Sequence, residues 1–150
     1  MKKIFLSLTI LVFIFLITGC KAHIEDTNGP DNYSLETFSE EDKVSSGWHL
    51  TVGSISSQVG GKGKFSAKKF TGVYTLYETY VSTSNSCYFD IEVESGNLEV
   101  VLIQDAKIIK SVDLNTTSRF TIDTNGKISL RVIGESAKFS ITYEFTKNEF

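Results

Sequence analysis

Cys87-Tyr88-Phe89-Asp90-Ile91-Glu92-Val93-Glu94 alternates apolar and polar residues without a break, and after Ser95-Gly96-Asn97 comes the nearly apolar run Leu98-Glu99-Val100-Val101-Leu102-Ile103. A period of two is the spacing of a strand with one buried face. A two-residue turn at Ser95-Gly96 opposes Val93 to Leu98, Ile91 to Val100 and Phe89 to Leu102, which puts the apolar set on one side. A turn at Gly96-Asn97 shifts the pairing and keeps the same faces. Cys87 falls in phase with Phe89, Ile91 and Val93, so it is expected inside as a small hydrophobe. In the second run Val101 and Ile103 add a second apolar face, which calls for cover on both sides of that strand. The segment before Trp48, or the strand starting there, is the expected cover.

The same texture extends outward from Trp48 to residue 146. Val, Ile, Phe, Tyr and Thr alternate with polar residues, turn formers recur every eight to twelve positions, and no apolar stripe of helical period stands out. Strands are expected near 47–53, 64–70, 72–82, 86–94, 97–104, 107–114, 117–123, 127–133 and 137–146. A three-residue loop Thr124-Asn125-Gly126 matches Ile122 to Ile128 and Phe120 to Leu130, with Gly126 in a left-handed conformation. A turn at Glu135-Ser136 then opposes Val132 to Phe139, Leu130 to Ile141 and Ile128 to Tyr143. The fold class that follows is all-β: an antiparallel β-sandwich of about eight or nine strands over residues 46–150. With Cys87 the only thiol in it, its apolar core must hold it together.

Residues 20–45 lack periodicity. They contain the chain's one proline, Pro30, several turn formers and many acids, a composition that reads as a flexible acidic tether. The alternative is a short helix at 35–42 that docks Phe38 on the domain. Further back, Met1-Lys2-Lys3 precedes an apolar run from Ile4 to Ile17, and Leu16-Ile17-Thr18-Gly19-Cys20 closes it. A basic head, an apolar stretch and small residues are the parts of an export signal, here residues 1–19. The stretch is shorter than the roughly 20 residues of a membrane span. The pentapeptide resembles the lipobox of bacterial lipoproteins. That resemblance implies cleavage between Gly19 and Cys20, lipid on Cys20, and a mature chain anchored on the outer side of a cell membrane.

Chemistry is sparse. Val59-Gly60-Gly61-Lys62-Gly63-Lys64 lacks the spacing of a phosphate-binding loop and reads as a mobile connection. The two histidines, His23 and His49, form no zinc pattern, and only His49 is placed to serve catalysis. Asp90, Glu92 and Glu94 share one strand face, and the expected hairpin brings Glu99 across from them. Strand carboxylates alone supply too few oxygens for calcium. No metal, cofactor or enzymatic activity is therefore expected. The chain carries 15 basic against 18 acidic residues, and loss of Lys2 and Lys3 makes the mature form more acidic. Neither nucleic acid nor an anionic lipid surface is an expected partner on that count. The strongest binding hint is aromatic: Trp48, Tyr74, Tyr77, Tyr80 and Tyr88 are candidates for stacking on sugar rings. In texture, over residues 46–146, the domain loosely resembles jelly-roll modules of exported bacterial proteins. That resemblance implies a binding module, for envelope glycan or for a neighbouring envelope protein. The other expectation is an accessory subunit docked on a membrane complex, marked by an apolar patch with a polar rim.

Overall fold

Three strands of about twenty residues dominate the molecule. The computed structural model describes residues 38–45, 47–82 and 85–146. They form a short helix α1 (Glu40–Val44) and seven strands: β1 (His49–Val52), β2 (Ile55–Val59), β3 (Lys62–Val81), β4 (Asn85–Gln104), β5 (Lys107–Ser111), β6 (Thr116–Ile122) and β7 (Gly126–Thr146). All pairing is antiparallel. β7 is central, between β3 and β4. β1 and β2 follow one another along the outer edge of β3, and β6 and β5 along the outer edge of β4.

This sheet is folded on itself. Val81 lies opposite Gly126 at one end of β7, and Ser86 lies opposite Thr146 at the other. A straight β7 would hold those ends about 70 Å apart, whereas the chain from Val81 to Asn85 reaches at most about 14 Å. The long strands must therefore turn a corner. Register shifts mark it: Ala67/Phe70 and Phe70/Gly72 on β3, and Val93/Ser95 and Ser95/Asn97 on β4. Gly96 has φ +75° and Ser136 φ +48°. A Cβ on Gly96 would collide with the backbone of Ser136 and Ala137, so the close crossing of β4 and β7 at this corner requires glycine. Asn115 supports the bend, its side-chain oxygen accepting from Val93 N–H at 2.7 Å.

The folded sheet encloses a sandwich core. Phe70, Phe89, Phe139, Ile91, Leu102, Leu130 and Ile141 are fully buried there. Tyr77 meets Tyr143 with ring centroids 5.7 Å apart, although the two sit on different arms of the fold. Cys87 is buried among these side chains, and burial pushes its thiol up to about 12.

Several expected connections are not made. The segments 64–70 and 72–82 are one strand, as are 86–94 and 97–104, and 127–133 and 137–146. The hairpins read at Ser95-Gly96 and Glu135-Ser136 are bulged corners within β4 and β7. Ile91 faces Ile141 and Val100 faces Val132 instead. Gly126 does have a positive φ, +128°, as the first residue of β7, but Ile122 pairs with Asn85 and Phe120 with Cys87, while β7 runs on between β3 and β4. Glu99 is not opposed to other acids: it bonds Lys43 at 2.9 Å. Asp90 and Glu92 face Thr142 and Ser140, and Glu94 bonds Lys138. Gly60 and Gly61 form a tight turn joining β2 to β3, not a long mobile loop.

The cover for Val101 and Ile103 comes from the segment before Trp48. Phe38 and Val44 pack on Val73, Val101, Ile103 and Ile133, the outer face of one arm. Ser39 caps α1 with Asp42 in a reciprocal capping box. The hydrogen bonds from Ser39 hold the Asp42 carboxyl below its usual range. Arg131 Nη1 donates to the carbonyls of Lys43, at 3.0 Å, and of Ser45, occupying acceptors that the helix end leaves open. At its C-terminal end, then, the segment read as a tether is folded against the sheet, with Phe38 docked as the helical alternative has it. The rest of it lies outside the described residues.

Candidate functional site

β3 is paired on both sides only along its first half. β1 accompanies Lys69 to Gly72, and one more bond, from Val73 N–H to Trp48 O at 2.8 Å, closes that seam. Beyond Val73, β3 has β7 on one side and, among the described residues, no strand on the other. In an antiparallel strand successive residues aim their N–H and C=O to alternate sides, so Thr75 directs both toward the open side.

A groove of about 700 Å³ runs along this edge. Its inner wall is His49, Gln58, Tyr74 and Tyr77; its outer wall is Glu78 and Arg131. The irregularity between Thr75 and Tyr77 turns Leu76 and Tyr77 both toward the core, which brings Tyr77 beside Tyr74 along one wall. Tyr74 packs on His49 with ring centroids 4.3 Å apart and on Phe65 at 5.8 Å. Tyr77 packs on Phe145 at 5.3 Å. Glu78 bonds Lys127 at 2.7 Å and accepts from Ser129 at 2.9 Å; both bonds hold its carboxyl below the usual range. Burial draws the Arg131 guanidinium down, and the nearby Glu78 opposes that.

The five aromatic candidates do not converge. Tyr74 and Tyr77 share the groove, half-buried and packed on other rings. Trp48 precedes β1 and is exposed. Tyr80 is exposed on the outer face, opposite Lys127. Tyr88 lies on β4, two strands from β3, under the Arg119 guanidinium 5.7 Å from its ring. Gly19 and Cys20 lie outside the described residues. His49 serves as a packing partner for Tyr74. Among the described residues no group of three His, Cys, Asp or Glu side chains is placed to hold a metal ion, and no helix is long and apolar enough to cross a membrane.

One feature escaped the sequence reading. Trp48, Leu50, Val52, Ile55 and Val59 all occupy the outer face of the β1–β2 edge, with exposures from 48% at Trp48 to 83% at Val59. Thr51 lies opposite Phe70 and Ser56 opposite Phe65, so small polar residues take the inward positions. The usable signal was this inversion: the larger apolar residues alternate out of phase with the core.

No protein-family model matches this sequence, and neither does any curated protein sequence. Among solved structures, the chain is similar to PliG from Aeromonas hydrophila, a periplasmic lysozyme inhibitor of g-type lysozyme. The identity is 18% and the TM-score 0.41, over 63% of this chain and 89% of that one. It is also similar to PliG from Salmonella Typhimurium, at 16% identity and TM-score 0.37, over 60% and 92% of the two chains. The all-β description rests on the strand pairing above.

Proposed function

We propose that this protein is a lipid-anchored, extracytoplasmic binding module without catalytic activity, and that it grips an extended segment of an envelope protein along the free edge of β3. The open edge at Thr75, with a groove on it, is the observation that carries the reading. A partner strand added there gains main-chain hydrogen bonds. Its alternating side chains fall on the Tyr74–Tyr77 wall and on the Glu78–Arg131 wall. The lipobox-like Leu16–Cys20 supports the anchor. A sugar ligand draws less support, because Tyr74 and Tyr77 commit their rings to other rings and the remaining candidates lie elsewhere.

A photo-crosslinking residue at Glu78 in the full chain, in envelope membranes, is expected to give one discrete protein adduct. The same residue placed at Asp90, on a distant strand, is expected to give none. Thr75→Pro removes an amide that no strand pairs among the described residues, as edge strands tolerate, and should abolish the adduct while circular dichroism stays unchanged. Adducts equally strong from Asp90 would defeat strand addition. Binding of purified wall glycan that is lost in Tyr77→Ala but indifferent to Thr75→Pro would replace the partner strand with a sugar. Mass spectrometry of the mature N-terminus tests the anchor separately: an unmodified Cys20 thiol removes it.

A further inference from the structure

We infer that the β1–β2 edge is a membrane-contacting surface that rests on anionic lipid, independently of what the groove binds. The observation is a pair of parallel rows. The outer face of β1 and β2 carries Trp48, Leu50, Val52, Ile55 and Val59. Next to it, on β3, the outward positions are Lys62, Lys64, Ser66, Lys68, Lys69 and Thr71, and all four lysines are exposed. Val59 lies opposite Lys62 and Val52 opposite Lys69, so the rows run side by side. Both strands reverse the parity of their outward residues near Gly53-Ser54 and Lys68-Lys69, which keeps each row on one face through the bend. Lys62 bonds Glu144 at 2.8 Å; Lys64, Lys68 and Lys69 have no ion pair among the described residues.

The charge distribution selects the occupant. An apolar row beside a basic row suits the boundary between acyl chains and anionic headgroups: apolar side chains enter the boundary, and each lysine near the surface adds attraction to the anionic heads. The long lysine stems also allow the ammonium groups to reach headgroups while their methylenes stay with the apolar row. The acidic row Asp90, Glu92, Glu94 on β4 stands two strand spacings beyond β3, roughly 10 Å away. Lipid contact is thus favoured at the β1–β2 edge and opposed across the rest of the face, which stands the domain on its edge. Total charge hides this arrangement, since an acidic chain still collects four lysines in one place.

Trp48 is the chain's only tryptophan, so its fluorescence reports on this edge whatever holds the chain to the bilayer. The full-length protein is to be reconstituted in phosphatidylcholine vesicles with or without phosphatidylglycerol. The expected result is a blue shift and quenching by brominated acyl chains in anionic vesicles, reversed by high salt, with the emission of the lipid-free protein retained in neutral vesicles. Replacing the four lysines with Gln should abolish the shift; so should Leu50→Ser combined with Ile55→Ser. All of these side chains are exposed, and unchanged circular dichroism confirms that the variants fold. Emission identical in both vesicle types overturns the inference. A shift that the lysine variant retains in full also overturns it, as does one that requires added envelope proteins and is absent with pure lipid; that last result assigns the edge to a protein.

Discussion

Among the described residues the outer face of this folded sheet has two apolar areas, and the chain treats them oppositely. On one arm Val73, Val101, Ile103 and Ile133 lie under Phe38 and Val44. On the other, the row from Trp48 to Val59 stays open along an edge. Burial of a large apolar side chain is worth about 1.5–3 kcal/mol. The covered area therefore contributes to folding, while the open one contributes little in the isolated molecule. With Leu50, Val52, Ile55 and Val59 exposed by 53% to 83%, that row is available for a contact outside the chain.

That contrast can be broken most severely from the covered side. Ile133→Ala removes a fully buried side chain and is expected to cost about 2–5 kcal/mol, read from the denaturant midpoint. A loss below 1 kcal/mol would mean that α1 covers nothing of consequence. Phe38→Ala is next. Its half-buried ring should be worth about 1–2 kcal/mol, and hydrogen exchange should quicken in α1 and at Val101 but not in β6.

The ion pair between Lys43 and Glu99 sharpens the same comparison. Glu99→Gln should cost less than about 1 kcal/mol. The hydrogen bond from Lys43 to Glu99 raises the lysine pKa above its ordinary 10.5, against a smaller opposing effect of burial. A raised pKa means that the bonus is complete below 10.5 and disappears as pH climbs through the raised value. The stability gap between wild type and Glu99→Gln should therefore close in strong alkali; a gap that widened there would contradict the pairing. At the open edge, Leu50→Ser should change stability by no more than about 0.5 kcal/mol. A loss comparable to that of Ile133→Ala would place Leu50 in a core.

The inner faces were legible residue by residue. Cys87, Phe89 and Ile91, then Leu98, Val100 and Leu102, point inward as their alternation requires. Connectivity was not legible, for a physical reason. A two-residue hairpin turn and a bulged corner both switch the inward set from odd to even positions, so the change between Ile91 and Leu98 fits either. Gly96 signals positive φ in both cases. The far pairing of β4 with β7 decides the matter, and no local pattern carries it. The need to cover Val101 and Ile103 was readable because a doubly apolar strand requires two neighbours. The groove was not readable, since it exists only where β1 ends and β3 continues.

β7 is the last described strand of the chain and the middle strand of the sheet. While the ribosome has yet to release Gly126–Thr146, β3 and β4 have no common partner, and the two arms have nothing to close around. With most pairing postponed to the end of synthesis, such a chain stays thread-like for longer than one built from local hairpins. That strand order lengthens the interval between synthesis of the first strands and closure of the core.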